Sequence, residues 1–379
     1  MIFKGKKRIF ALTVGMLILL AAGTYFTLCA ARSLRFFGME SVALVITVSV
    51  LFALLCLSAF VIRPIPIKLT TITVLYFLSF GLIADLIHFL MRFIAPGFAP
   101  WNWLHASGVF VLSASALTLL YGWLHGKRVA RKRYRLGVSQ PLPNGRLRVA
   151  VVSDLHMGKS IDAQKLQRVC GRIAAEQPDL LLLAGDLCDD QTKPADMLAA
   201  CALLGGVKAA YGTYFVYGNH DLGGHGPALQ YEPEAFTNAL REHGVVILDD
   251  AAVSVSGAFT IAGRRDAWMA HKAGGRIPLG ELLEHADKTK PVLLLDHQPL
   301  DTKEAVSLGV ALQASGHTHA GQVWPASWLG RLIPNADVFY GHKQIGNCHI
   351  VVSSGLGCRG TTLRSGCTAE FVIIDLFSN

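Results

Sequence analysis

The chain has 379 residues, 52% of them hydrophobic and 16% charged, with a mean hydropathy of +0.42. Soluble domains carry about 25% charged residues, so this composition excludes a disordered or wholly soluble chain, and the length allows about two or three domains. The formal net charge of +9 is uneven: residues 1–135 hold 15 Lys+Arg against 2 Asp+Glu, whereas 136–379 hold 20 against 24. The basic excess belongs to the first third and points to a membrane surface. After Arg135 no dense basic patch with interleaved aromatics occurs, so no nucleic-acid partner is indicated.

In chain order, four long apolar runs come first. Residues 9–31, 41–62 and 106–124 carry no Lys, Arg, Asp or Glu, and 69–91 carries a single acid, Asp85. A helix of about 20 apolar residues crosses the hydrocarbon core, so the runs predict a four-helix transmembrane bundle within residues 1–126. Lys4, Lys6, Lys7 and Arg8 precede the first run, which is too long for a usual signal-peptide core and reads as an uncleaved span. Basic residues flanking the spans number twelve on one side and three on the other. The cytoplasm retains positive charge, so the expectation is a multi-pass protein of the cell membrane with both the N-terminus and everything after Leu124 inside. Asp85 and His88 share one helix face. They read as a hydrogen-bonded pair holding helices together, with an intramembrane polar site as the alternative.

Residues 127–146 are basic and Pro-containing and read as a linker, with a folded domain over 147–379. The six basic residues at 127–135 can also engage anionic lipid head groups. Beyond the linker, apolar strands over 148–153, 179–184 and 213–217 alternate with helical periodicity over 161–176 and 195–205. A hairpin over 252–256 and 259–262 follows, then strands over 292–295, 310–314, 350–353 and 371–376. Continuous apolar strands with helical crossovers imply a sheet covered on both faces. The eight cysteines include no C-x-x-C pair and no compact framework, so they read as isolated reduced thiols.

Strand after strand stops at Asp, His or Asn. The groups are Asp154-x-His156, Gly185-Asp186, Gly218-Asn219-His220-Asp221, His297 and Gly316-His317-x-His319. Ligands bind outside the carboxyl ends of strands in open α/β sheets. One such residue would be a cap or a turn; five groups in order build one site.

The stretches SDLHMG, AGDLCDD, YGNHD, DHQP and SGHTHAGQ together resemble the calcineurin-like metallophosphoesterases. Gly321-Gln322, SSGLG at 353–357 and Arg364 narrow the likeness to the branch with membrane-tethered bacterial phosphodiesterases. The resemblance covers about residues 147–376. It implies an α/β domain built as a two-sheet sandwich flanked by helices, and two divalent cations of the Mn, Fe or Zn type as cofactors. Asp154, His156 and His319 would hold the first cation, Asn219, His297 and His317 the second, and Asp186 both. His220 would stabilise charge or protonate the leaving oxygen, with Asp221 orienting its imidazole. The implied reaction is hydrolysis of a phosphodiester, pyrophosphate or phosphomonoester by a metal-activated hydroxide. The alternative is a catalytically inert metal-binding scaffold, or a regulatory domain of a four-span membrane protein. The implied partners are membrane lipids and a phosphate-ester substrate, lipid-linked by its location. Asp189 and Asp190 read as carboxylates that support the ligands or lie on the surface, and Cys188 as packing. Arg264-Arg265 read as facing phosphate or as an ion-pair cluster.

Overall fold

The computed structural model describes residues 21–61, 67–223, 228–332 and 336–378. They form two compact units that divide between Tyr121 and Gly122. The first unit contains helix α1 over 21–36, α2 (Val42–Val61), α3 (Ile67–Ile94), α4 (Ala99–Ser107) and the greater part of α5 (Val109–His125). Among the described residues α3 is long and apolar enough, over Leu69–Ile94, to cross a bilayer. The α4–α5 pair passes the same test as a unit but is bent by 70°, and α2 is apolar over Val42–Leu54. Residues 9–20 of the first expected span lie outside the described residues; its remainder lies in α1.

The fourth expected span, 106–124, starts inside α4 instead of forming one helix. The break is Gly108, whose φ of 74° is left-handed. A Cβ there would come within 2.6 Å of Ser33 Oγ, so the bend needs a residue without a side chain.

The second unit is a sandwich of two mixed six-stranded sheets. The first sheet combines β1 (Val129–Val138), β2 (Arg146–Val152), β3 (Leu180–Leu183), β4 (Thr213–Phe215), β5 (Val245–Ile247) and β12 (Ala369–Ser378), in the order β1-β12-β2-β3-β4-β5. The second combines β6 (Ala251–Val255), β7 (Phe259–Gly263), β8 (Val292–Leu295), β9 (Leu312–Ser315), β10 (Gly341–Ile345) and β11 (Cys348–Val352), in the order β10-β11-β9-β8-β7-β6. Strands β2 to β5 run parallel, as do β7, β8, β9 and β11.

The apolar run of β3 has two destinations. Leu180 and Leu182 point between the sheets, where they join Leu293, Leu295, Leu312 and Val351. Leu181 and Leu183 point outward, among side chains of α6 (Ala163–Ala175), α7 (Pro194–Gly205) and α8 (Pro233–Glu242). Both faces are covered, so alternation is absent from the strand. Helix α6 starts at Asp162, whose side chain accepts from Lys165 N at 2.7 Å, and buries Leu166, Val169, Cys170 and Ile173 at helical spacing. Short helices α9 (Ala267–Ala273), α10 (Leu279–Leu282), α11 (Thr302–Ser307) and α12 (Ala326–Leu329) lie in the later connections.

The stretch 127–146, expected to be a linker, is structured. Strand β1 occupies half of it, pairing in parallel with β12 from Val129–Ala369 to Val138–Ser378. Its arginines are partly neutralised inside the unit: Arg131 and Arg133 bridge to Glu176, and Arg133 also approaches Asp375 at 3.8 Å. A basic edge strand resists pairing with another chain.

Candidate metal centre

The parallel strands of both sheets end on one rim. Asp154 and His156 follow β2, Asp186 follows β3, Asn219 and His220 follow β4, His297 follows β8, and His317 and His319 follow β9. Asp154, His156 and His297 are wholly buried, and Asp186, Asn219 and His319 nearly so. Buried ionisable groups need partners, and here they are one another.

Two groups of three side chains have ligand atoms within 4.8 Å of one another: Asp154, His156 and His319; and Asp154, Asp186 and His297. In the first, His156 Nε2 lies 3.2 Å from His319 Nε2, and His319 Nε2 lies 3.5 Å from Asp154 Oδ1. In the second, Asp186 Oδ2 is 3.3 Å from His297 Nε2, and it is also 3.8 Å from His156 Nε2. His317 Nδ1 stands 3.0 Å from Asn219 Oδ1 and 3.3 Å from His297 Nε2. All seven expected ligands therefore converge; Asp154 is common to both groups, and Asp186 of the second also approaches His156 of the first.

The donor set fits a pair of cations. Facing imidazole nitrogens and carboxylates at these separations are the borderline ligands of Mn, Fe and Zn. The far side of two rings is fixed: His156 Nδ1 meets Asp189 Oδ2 at 3.1 Å, and His297 Nδ1 donates to the Ala184 carbonyl at 2.7 Å. Such bonds set the tautomer and aim Nε2 inward. Burial works to lower the His297 pKa, but the Asp186 carboxylate overrides it and holds the ring well above the ordinary histidine range. Burial likewise opposes ionisation of Asp186, and the neighbouring His297 and His156 reverse that, keeping the carboxyl well below its usual range.

Close packing behind the site is equally specific. A Cβ on Gly355 would stand 2.7 Å from Asp154 Cβ and 3.3 Å from His319 Nδ1. Segment 353–357 is therefore pressed against two expected ligands. The wholly buried Arg364 holds it there, donating to the carbonyls of Ser354 at 2.9 Å, Gly355 at 3.4 Å and Gly357. Arg364 also lies 3.1 Å from Cys367 Sγ, and that thiol donates to the His319 carbonyl at 3.1 Å.

His220 is buried at the same rim, and its backbone N–H donates to Asp186 Oδ1 at 2.8 Å. Burial pushes its imidazole down to about 4. The expectation for Asp221 is corrected. Its carboxylate accepts from the backbone N–H groups of Asp186 at 2.8 Å, Gly218 at 2.7 Å and Cys188 at 3.0 Å. Both oxygens serve these amides, so Asp221 braces two strand-end loops in place of orienting the His220 ring.

Among the arginines, Arg264 is buried, pairs with Asp301 at 3.1 Å and donates to the Ile277 carbonyl; Arg265 pairs with Asp249 at 2.8 Å. Both belong to ion-pair clusters. Arg359, absent from the sequence expectations, acts electrostatically on both His220 and His319, and its amide donates to Gln322 Oε1 at 2.9 Å. Its position three residues past Leu356 in the SSGLGCRG stretch was the available signal.

In the first unit Asp85 is not paired with His88. Its carboxylate accepts from Tyr25 at 2.6 Å and Arg32 at 2.7 Å, and lies 2.7 Å from His105 Nε2. His88 instead stacks on His105 with ring centroids 3.9 Å apart. Three other side chains thus join Asp85, two of them from α1 and one from α4.

Residues 147–321 match the calcineurin-like phosphoesterase family. A bovine "transmembrane protein with metallophosphoesterase domain" is 30% identical over 242 residues, which cover 61% of this chain and 53% of the relative. The zebrafish protein of the same name is 30% identical over 241 residues, with the same coverages. An uncharacterized metallophosphoesterase of Aquifex aeolicus is 30% identical over 244 residues, covering 63% of this chain and 88% of that protein. The chain thus spans about half the length of the two animal relatives and most of the bacterial one. On this similarity, and with the family's ligand pattern assembled on one rim, the chain belongs to the calcineurin-like metallophosphoesterases.

Proposed function

We propose that the chain is a membrane-anchored, metal-dependent phosphoesterase that hydrolyses a phosphodiester, pyrophosphate or phosphomonoester on the cytoplasmic side. The observation that carries this reading is the pair of three-ligand clusters sharing Asp154, with Asp186 reaching toward both. Asp154, His156 and His319 would hold one cation, Asn219, His297 and His317 the other, and Asp186 both. When bound, two divalent cations supply Lewis-acid polarisation of the phosphoryl group and activation of water.

The chain's own residues position and shield. Asp189 and the Ala184 carbonyl fix two imidazoles, and Asp221 and Arg364 fix the loops that carry or back the ligands. Burial lowers the His220 pKa to about 4, so a neutral imidazole would be the form that faces the leaving oxygen. Arg359 adds positive charge that is felt at His220 and His319.

The membrane part of the reading rests on α3, on the bent α4–α5 pair and on relatives named as transmembrane proteins. Location at a membrane favours a lipid-linked phosphate as substrate. The test is hydrolysis by the purified full chain across phosphodiesters, pyrophosphates, phosphomonoesters and phospholipids, with Mn, Fe and Zn varied. Metal-dependent turnover of at least one class supports the reading. No turnover with both cation sites filled would leave an inert metal-binding scaffold.

A further inference from the structure

The catalytic unit exposes large apolar side chains at few places. Among its described residues the densest set is Trp328, Leu329 and Leu332, exposed by 61%, 41% and 65%. They lie within five positions of one another, nine to thirteen residues after His319. Scattered exposed apolar residues are ordinary, but a contiguous set marks a contact surface.

The placement of this stretch says what it contacts. A Cβ on Gly321 would come within 2.6 Å of Ser327 Cα, and Trp324 N donates to Ser365 Oγ at 2.9 Å. The stretch is therefore seated on segment 362–366. The same segment receives the last turn of α5 on another side. Arg364 N donates to the Gly122 carbonyl at 2.9 Å, and His125 Nδ1 lies 3.0 Å from the Arg364 carbonyl. Gly122 in the last turn of α5 and Gly126 just after it allow this approach. A Cβ on Gly122 would stand 3.2 Å from Ser365 Cβ, and one on Gly126 would run into the Thr362 carbonyl.

Segment 362–366 thus joins the end of an apolar helix to the apolar stretch beside the ligands. That helix end has an interfacial signature. Trp123 and Leu124 are 47% and 49% exposed, and Lys127 Nζ sits 3.3 Å over the Trp123 ring. Residues 328–332 repeat the combination, with Trp328, Leu329, Leu332 and the exposed Arg331.

We propose that residues 324–332 are a membrane-docking edge. They lie in the interfacial zone of the bilayer at which α5 ends, with Trp328, Leu329 and Leu332 among the upper acyl chains. Arg331 and Lys127 meet anionic head groups. The edge holds the His317–His319 rim at the lipid surface, so the favoured substrate is a phosphate ester carried on a lipid. This rests on the membrane-anchored reading above.

The test uses the full chain in phosphatidylcholine–phosphatidylglycerol vesicles. An environment-sensitive fluorophore is placed on Leu332→Cys, and in a second sample on Leu82→Cys in α3, with the unsubstituted chain as the labelling blank. Loss of emission at both positions when nitroxide-bearing lipids are added supports the proposal. Loss at 82 but not at 332 overturns it and leaves the anchoring intact. Loss at neither removes the anchoring and the docking edge together. Shielding at 332 that follows the protein-to-lipid ratio, with no response to nitroxide lipid, assigns the patch to a second copy and overturns the proposal. As a functional arm, Trp328→Ser combined with Leu332→Ser should lower turnover of a vesicle-embedded phosphoester, relative to a water-soluble one, by about tenfold. An unchanged ratio counts against the edge.

Discussion

Asp154, His156, Asp186, His317 and His319 all have left-handed backbone, with φ of 48°, 43°, 54°, 71° and 49°. For residues with a Cβ this costs on the order of 1–2 kcal/mol each, and such strain gathers where a site over-determines it. The ligands are held in conformations they would not choose locally, so metal binding should offset part of the strain. Chelation is expected to lower the melting temperature, and free metal at about a thousand times its Kd to restore about 4 kcal/mol. Asp186 belongs to one ligand group and reaches His156 of the other, so Asp186→Ala is expected to lose both metals and all turnover. Elemental analysis still finding two metals per chain would end the bridging role. His220 falls in neither ligand group. His220→Ala is expected to keep normal metal content and lose about 10²–10⁴-fold in kcat. Unchanged turnover of a substrate with a poor leaving group would exclude it from the chemistry.

The elements differ in how far they depend on distant partners. Strand β3 is apolar on both faces and is anchored by layers above and below it. Strand β1 is the opposite: five of its ten residues are Arg, Lys or Tyr, and it exists because β12 offers it an edge. Segment 353–357 forms no helix or strand; backbone bonds from Ser353, Leu356 and Gly357 to Ser315, Ser153 and Asp154 hold it together with Arg364. Arg364→Met would remove the guanidinium donor from the Ser354 and Gly357 carbonyls, while Gly355 keeps its bond from Glu370 N, at a cost of roughly 2–4 kcal/mol. Because the segment presses on Asp154 and His319, the same change should weaken the Asp154–His156–His319 site more than the Asn219–His297–His317 site. Denaturant unfolding and a two-site metal titration read the two effects separately. Equal affinities at both sites, alongside a stability loss, would confine Arg364 to a folding role.

For the whole molecule the open variable is sidedness, because it decides which substrates are reachable. Basic residues flank the expected spans twelve to three, and the proposed cytoplasmic placement of everything after Leu124 rests on that count. Several of those charges also act within the catalytic unit, since Arg131 and Arg133 bridge to Glu176. The rule reads charge during insertion, before those bridges form, so the bridges do not alter the count on which the proposal rests. A reporter joined after Asn379 should be active in the cytoplasm. Activity confined to the outside would invert the topology and direct the substrate search to exported lipids.

Much of the site was legible in the sequence, because each ligand is written beside the strand that delivers it. The runs ending at Asp154, Asp186, Asn219, His297 and His317 announce a rim, and the rim is where the fold brings them together. The interior strands β2, β3 and β8 were legible for the same reason: their burial is recorded in consecutive apolar residues. Strands β1, β5 and β10 were not, since they are short or polar and owe their existence to a neighbour's free edge. Asp221 shows the limit most plainly. Adjacency in sequence put it beside His220, yet its carboxylate turns to the amides of Asp186 and Cys188, more than thirty positions away. Sequence determines which groups are present and which strand ends carry them. Which way a carboxylate turns is decided by the buried donors that tertiary folding brings to it, because a buried charge must be met by whatever polar groups the fold places within reach.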